Sequence, residues 1–203
     1  MNNENEVMEK APVLTKKDCV KGAIRWSLMA ITTFNYDTQL APAVVFGIGP
    51  LLRKIYKDDD EYVEALNNHY KYFNTMPWLA NIVLGATLAL EDKEGITSLD
   101  AVQNIKVSLM GPLAGIGDSF IWGTLRIIAT GVGLSLANQG NILGPILFLL
   151  IFNIPAQGLR YYLMNAGYKL GSGFLAKIQQ NGLMSKLTYA ASVLGLMVVG
   201  GMT

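Results

Sequence analysis

The chain has 203 residues, of which 51% are hydrophobic and 15% are charged, and its formal net charge is +1. Ordinary soluble domains carry about 25% charged residues, so this composition indicates an integral membrane protein. The small net charge argues against a nucleic-acid partner, which would need a clustered basic surface. A single Cys and a single His argue against a disulfide framework or a zinc site, and we expect no metal or other cofactor.

The first predicted element follows a polar tail at residues 1–14. Thr15 and Asp18 fit a capping box, which predicts an amphipathic helix over about residues 16–34. Its lysines and apolar residues suit a helix at the membrane interface, attracted to anionic lipid, and equally a helix packed on protein. Residues 15–203 are expected to form one membrane domain.

Two short apolar segments follow, at residues 40–52 and 78–90. Each has 13 residues, and as a helix each would rise about 20 Å, against about 30 Å for the hydrocarbon core. We therefore predict short re-entrant or broken helices, which are tolerated where protein or a water-filled cavity satisfies the backbone. Between the two segments the pattern indicates an amphipathic helix with His69 on its surface. Residues 91–95 read as a polar turn.

The clearest membrane-spanning element is a predicted helical hairpin. Thr97 and Asp100 fit a second capping box. Residues 107–137 and 142–159 are almost uncharged and are joined by a short polar turn. This pattern favours an all-α integral membrane protein.

The charges around the hairpin predict its orientation. Residues 160–186 contain Arg160 and three lysines but no acid, which by the positive-inside rule places them in the cytoplasm. The lysines near the N-terminus indicate the same side, so the chain is expected to cross the membrane several times. Because the sequence stops at Thr203 within an apolar run, we expect either that further C-terminal segments are missing or that this end packs against a partner.

The most informative stretch runs from Gly111 to Gly123. It lacks the Lys of a phosphate-binding Walker loop and the glycine spacing of a dinucleotide-binding loop. Glycines spaced by four residues allow helices to pack closely in lipid. Gly115 and Gly117 could equally let the helix break and expose backbone groups to a ligand.

Asp118 is an acid inside an apolar segment, which is costly unless it is paired or faces water. It is therefore a candidate for a functional site or a buried network. Arg126 lies about 12 Å along a continuous helix, so a direct pair would need a helix break, which the glycines and Pro112 could supply. Trp122 could stack on the apolar face of a ligand, or be an ordinary interface or core aromatic.

Other polar side chains lie beside the short apolar segments. Asn35 and Asp37 precede the first, and Asn74 and Thr75 precede the second. They are well placed for a neutral, hydroxyl-rich ligand, but each could also be a helix cap or a turn residue.

The sequence resembles the IID subunit of the mannose-type phosphotransferase system (PTS). The resemblance covers about residues 15–203 and is most specific over residues 105–126. The matching stretches, in chain order, are Phe34–Asp37, Leu51–Tyr56, Tyr72–Pro77, Leu84–Glu91, Ile105–Arg126, Leu143–Phe148, Asn153 and Arg160–Tyr162. The chain departs from the family pattern at residues 37–40 and at Ile127, which leaves the identity of the sugar open.

The resemblance implies a bacterial cell-membrane subunit that pairs with a IIC subunit and carries a hexose or related sugar inward. The soluble IIA and IIB proteins would pass phosphate from phosphoenolpyruvate to the sugar, and their histidines, not this chain, would carry it. The family assembles as a trimer of IIC–IID pairs. Two alternatives are a non-transporting scaffold that stabilises IIC and a membrane enzyme acting alone. We find no motif for a catalytic phosphotransfer residue, so enzymatic activity of the chain itself stays open.

Overall fold

The computed structural model describes residues 11–171 together with residues 189 and 193. Within this part of the chain the fold is all-α, as predicted, and its only strand-like features are isolated β-bridges such as Asn35–Gln39. The seven α-helices of the described residues are α1 (Lys16–Met29), α2 (Ala41–Ile55), α3 (Asp59–His69), α4 (Ala80–Glu94), α5 (Leu99–Gly117), α6 (Arg126–Ala137) and α7 (Leu143–Leu170). A 3₁₀ turn, Gly95–Ser98, joins α4 to α5, and a π-helical segment, Asp118–Leu125, joins α5 to α6.

Helix α1 begins at the predicted capping box, with the Thr15 and Asp18 side chains each accepting the other's backbone N–H. It ends at Met29 rather than near residue 34, because the chain then turns towards α2. Trp26 is fully buried on its inner face, whereas Leu28 is exposed on its outer face. The helix therefore packs on protein on one side, as one of the two expectations had it, and is exposed on the other; its placement at a membrane interface stays a prediction.

Helices α2 and α4 occupy the two short apolar segments. Each has 15 residues and rises about 22 Å. Helix α2 continues through Pro50. Helix α4 extends past the apolar segment to Glu94, with Glu91 and Asp92 buried inside it. The predicted polar turn is therefore wrong at residues 91–94, because these two acids have partners from distant parts of the chain.

Glu91 is the centre of a buried polar network. Its carboxylate lies 2.8 Å from His69 Nε2 and accepts a hydrogen bond from the Tyr56 hydroxyl at 3.2 Å. Lys106 Nζ donates to the His69 backbone carbonyl at 3.0 Å. His69 is 0% exposed, so its predicted surface position is wrong. The network links α2, α3, α4 and α5.

Asp92 holds the segment that precedes α1. Its carboxylate accepts the backbone N–H groups of Val13 and Leu14, at 3.0 and 2.9 Å, and the hydroxyl of Tyr168. Leu14 is buried. Residues 13 and 14 thus belong to the folded body, while residues 1–10 of the predicted polar tail lie outside the described residues.

The predicted hairpin is present, with α5, the π-helical segment and α6 on one side and α7 on the other. The second capping box is wrong: the Thr97 hydroxyl donates back to the Glu94 carbonyl, and α5 has no side-chain cap. The chain is consequently helical from Ala80 to Ala137.

Two helical stretches in the described part of the chain, Ala80–Ala137 and Leu143–Leu170, are long and apolar enough to cross a membrane. Only 17% of the most apolar window of each is buried, whereas a core helix of a soluble protein would be mostly buried. The exposed apolar surface of the hairpin therefore suits a lipid or protein environment inside a bilayer.

The backbones of helices α4 and α7 nearly touch where the two helices cross. A Cβ placed on Gly85 would overlap the Met164 carbonyl oxygen and the Tyr168 nitrogen, and one placed on Gly167 would overlap the Ile82 carbonyl oxygen. Both positions therefore require glycine.

We expect Gly85→Ala to destabilise the chain by about 1–3 kcal/mol, because the added methyl group collides with backbone that cannot move aside. Gly111→Ala is the matched control, since a Cβ at Gly111 meets nothing within 4 Å and alanine favours a helix. Thermal unfolding of the purified chain in detergent measures both. Equal melting temperatures for the two variants would contradict the described packing.

The Asp18–Lys54 ion pair predicts a pH dependence. The two side chains lie 2.6 Å apart, and the hydrogen bond from Lys54 lowers the pKa of Asp18 from 3.8 to about 2. A carboxylate with a lowered pKa stabilises the fold above about pH 4 and loses that effect as the pH falls towards about 2. Asp18→Asn should therefore lower the melting temperature at neutral pH, with a smaller difference from wild type near pH 3. A melting-temperature difference from wild type that is equally large at pH 3 and at neutral pH would contradict this role of the ion pair.

Candidate functional site

A cavity of about 280 Å³ opens where the α1–α2 loop, the loop before α4 and the junction of α5 with the π-helical segment meet. It brings together Asn74, Thr75, Asp118 and Trp122, four residues that the sequence singled out. The remaining lining residues are mostly apolar: Ile31, Phe34, Leu40, Met76, Pro77 and Ala114. We call this the Asp118 pocket.

Asp118 begins the π-helical segment and is exposed at the pocket wall. Among the described residues, no side chain forms an ion pair or hydrogen bond with its carboxylate. The predicted helix break is wrong in form, because the chain stays helical and widens into a π-helix instead. π-Helical segments within α-helices occur frequently at functional sites. Because the Asp118 carboxylate has no partner among the described residues, it can accept hydrogen bonds from a ligand.

Arg126 does not pair with Asp118. Its guanidinium lies over the Trp122 ring, 5.2 Å from the ring centroid. Arg126 thus contacts Trp122, which lines the pocket, but Arg126 is not itself a lining residue.

The polar residues before α4 have different environments. Asn74 is exposed and forms no side-chain hydrogen bond with the described residues, so its amide can serve a ligand. Thr75 is buried, and its hydroxyl donates to the Met110 carbonyl at 2.9 Å. This bond ties the loop to α5 and leaves mainly the hydroxyl oxygen's acceptor capacity for a ligand.

Asn35 and Asp37 are not among the lining residues. The Asn35 side-chain oxygen accepts the N–H groups of Asp37 and Thr38, both at 2.9 Å, which is the turn role that the sequence left open. Asp37 is exposed on this turn. The turn nevertheless contributes to the pocket through its neighbours Phe34 and Leu40.

The two candidate glycines, Gly115 and Gly117, differ in how deeply they are buried. Gly117 is buried, and a Cβ there would overlap the Met76 side chain, so this glycine allows α5 to contact the loop that carries Asn74. Gly115 is half-buried within α5. Gly117 therefore contributes through close packing, and both glycines lie within an unbroken α5.

Three aromatic rings pack together beside the pocket, and we call them the aromatic trio. Trp78 meets Trp122 edge-to-face with ring centroids 5.3 Å apart, and meets Phe152 in a similar way at 6.1 Å. Trp122 and Phe152 are stacked at 6.1 Å. Trp78 and Phe152 were not predicted to lie beside the pocket, because an aromatic residue in an apolar run looks the same in sequence whether it lies in a core, at a lipid surface or at a site.

No group of three or more His, Cys, Asp and Glu side chains within the described ranges could hold a metal ion. The pocket lining offers hydrogen bonding and aromatic contact: a carboxylate and an amide that have no partner among the described residues, and the Trp122 ring. That combination is suited to a neutral ligand that carries hydroxyl groups and an apolar face.

Comparison with known proteins gives the family. Residues 13–203 match the PTS system mannose/fructose/sorbose family IID component. The chain is 37% identical over 193 residues to the PTS system mannose-specific EIID component of Escherichia coli strain K12, which covers 93% of this chain and 68% of that protein. It is 37% identical over 199 residues to the fructose permease IID component of Bacillus subtilis strain 168, covering 96% and 71% of the two chains.

A solved structure agrees with these relatives. The chain resembles one in the cryo-electron microscopy structure of the mannose transporter ManYZ with microcin E492, with a TM-score of 0.76 and 34% sequence identity. The match covers 95% of this chain and 71% of that one. The chain therefore belongs to the IID component family of the mannose/fructose/sorbose phosphotransferase system and is a membrane protein.

Proposed function

We propose that this chain is a membrane subunit of a PTS sugar permease that translocates a hexose or related sugar together with a IIC partner. The observation that carries the proposal is the Asp118 pocket, where a carboxylate and an amide without partners among the described residues meet an aromatic ring beside an apolar hairpin. The names of the relatives, which include mannose-, fructose- and sorbose-specific components, support the class of substrate.

The pocket suits sugar binding by simple chemistry. A sugar hydroxyl donates a hydrogen bond to the Asp118 carboxylate, and the Asn74 amide both donates and accepts. The exposed part of Trp122 packs on the apolar C–H face of the ring. These contacts replace the water that the sugar loses, and hydrogen bonds to a charged acceptor are the stronger ones.

Phosphate transfer is assigned to other subunits. The chain has one histidine, and His69 is fully buried with its Nε2 bonded to Glu91. A phosphoryl carrier must reach its donor and acceptor, so His69 is unsuited to that role. Soluble IIA and IIB proteins would instead phosphorylate the sugar as it arrives on the cytoplasmic side.

The exposed surfaces of the chain support the proposed assembly. Exposed apolar side chains on the hairpin, such as Ile128 and Ile142, suit contact with IIC and with lipid in a multi-pass arrangement in the bacterial cell membrane. The open face of α1, with exposed Lys17, Lys21 and Leu28, suits an anionic lipid surface. A trimer of IIC–IID pairs is the proposed complete assembly.

Asp118→Asn should raise the sugar concentration for half-maximal uptake by roughly tenfold or more, because hydrogen bonds to a charged group contribute about 1.5–3 kcal/mol. Phosphorylation-dependent uptake in cells that express the complete system measures this. Asp100→Asn is the control, since Asp100 is an exposed acid on α5 outside the pocket.

Wild-type uptake by Asp118→Asn would remove Asp118 from the sugar site. A complex that assembles with IIC but neither binds nor carries any of the three sugars would favour the scaffold alternative.

Asn74→Leu should leave the melting temperature nearly unchanged, because the amide has no partner to lose within the described residues. We expect it to raise the half-saturating sugar concentration by about two- to tenfold, the effect of one neutral hydrogen bond. Asn67→Leu, an exposed amide on α3, is the matched control. If both substitutions have the same effect on uptake, Asn74 does not contact the sugar.

A further inference from the structure

Several buried polar atoms on Trp78 and on neighbouring residues of α4 and α7 have no hydrogen-bond partner among the described residues. Five buried side-chain nitrogen or oxygen atoms in the described part of the chain have no hydrogen-bond partner, and four of them lie between the start of α4 and the middle of α7. They are Trp78 Nε1, Asn81 Oδ1, Gln157 Oε1 and Arg160 Nε. Buried polar atoms are rarely left unpaired, so a group of four calls for a common partner.

Direct contacts connect most of this group. The Arg160 guanidinium lies over the Trp78 ring, 5.0 Å from the centroid, and Asn81 Nδ2 donates to the Arg160 carbonyl at 2.9 Å. That bond fixes the Asn81 amide, so its Oδ1 is the free end. Gln157 precedes Arg160 by three residues on α7 and so lies on the same face of the helix. We call these four residues the polar cluster.

Arg160 makes the polar cluster unfavourable in free energy when no ligand is bound. Arg160 is only 3% exposed. No carboxylate of the described residues lies within 4 Å of its guanidinium. A charged group inside a membrane segment is costly and commonly marks a pathway or a binding site. Asn81 is 0% exposed and Trp78 is 7% exposed, so three of the four side chains are more than nine-tenths buried.

The chemistry of the free atoms selects the partner. Trp78 Nε1 and Arg160 Nε are donors, while Asn81 Oδ1 and Gln157 Oε1 are acceptors. A phosphate or carboxylate would accept from the two donors but repel the two carbonyl oxygens. A metal ion would suit the oxygens but not the guanidinium. A hydroxyl group both donates one hydrogen bond and accepts up to two, so two neighbouring hydroxyl groups satisfy the two donors and the two acceptors.

The trio connects the cluster to the Asp118 pocket. Trp122 lines the pocket and touches Trp78, and the indole nitrogen of Trp78 belongs to the cluster. The aromatic rings therefore separate one group of polar side chains from the other. A ring movement that parts Trp122 from Trp78 would join the two along α4.

We infer that the polar cluster is a second binding station for the hydroxyl groups of a neutral sugar, reached from the Asp118 pocket when the aromatic trio opens. This inference rests on the proposed function. Stabilising the sugar at the station lowers the barrier to its passage, so the station governs the maximal rate more than the first capture of the sugar.

Gln157→Leu is the most direct test, because the Gln157 oxygen has no protein partner and its removal should not weaken the fold. In the complete IIC–IID complex, we expect the maximal uptake rate of radiolabelled mannose, fructose or sorbose to fall about two- to tenfold. The half-saturating concentration should change little, in contrast to Asp118→Asn. The melting temperature should stay the same or rise.

Trp78→Phe is the second variant, since it removes the indole N–H and keeps an aromatic ring. It should lower the maximal rate in the same way, and it decides the matter if Gln157→Leu fails to assemble. Asn165→Leu is the control, because the Asn165 amide lies on α7 but bonds to the Tyr161 carbonyl of its own helix.

The outcomes separate the two proposals. A fall in maximal rate with unchanged stability supports the second station. Variants that lose only stability would mean that the cluster holds structural water, and variants that match Asn165→Leu in rate would mean that no ligand binds there; either result overturns the inference. Asp118→Asn reports independently on the proposed function, which fails if that variant transports like wild type.

Discussion

The contact between α4 and α7 at Gly85 and Gly167 is the constraint on which the rest of the structure depends. Because the two backbones nearly touch, side chains on either side of the crossing are held at short distances. Towards one end, Asn81 bonds the Arg160 backbone and Trp78 packs on Phe152. At the other end, Asp92 accepts the hydroxyl of Tyr168. A side chain at either glycine would separate all of these pairs together.

Local sequence patterns predicted the elements whose determinants are local. The Thr15 capping box is correct because both of its partners lie within one turn. The same pattern at Thr97 is wrong, since the chain is already helical there and the hydroxyl bonds back to Glu94. Glu91 and Asp92 resemble a polar turn in sequence, yet their partners Tyr56, His69 and Val13 are 22 to 79 residues away. No local pattern contains that information.

The residues of the candidate site could likewise be predicted only where their role depends on the neighbouring sequence. Asp118 could be identified because an acid in an apolar segment is conspicuous at any depth in the membrane, and Asn74 because a polar side chain beside a short apolar helix has few roles. Asn35 has the same composition around it but uses its amide within its own turn. Trp78, Phe152 and Arg160 acquire meaning only when α4 and α7 are brought together, which depends on tertiary packing.

The hydrogen bonds from the Val13 and Leu14 backbone to Asp92 determine how freely the N-terminal segment can vary among related proteins. The Asp92 carboxylate binds backbone N–H groups at Val13 and Leu14 and ignores their side chains. Position 14 is buried and must remain apolar, but position 13 is 37% exposed and is open to almost any residue. Proline is the exception at both positions, because it has no N–H to offer. Selection here acts on the main chain, so an aligned family could show scattered side chains at position 13 over an invariant acid at position 92.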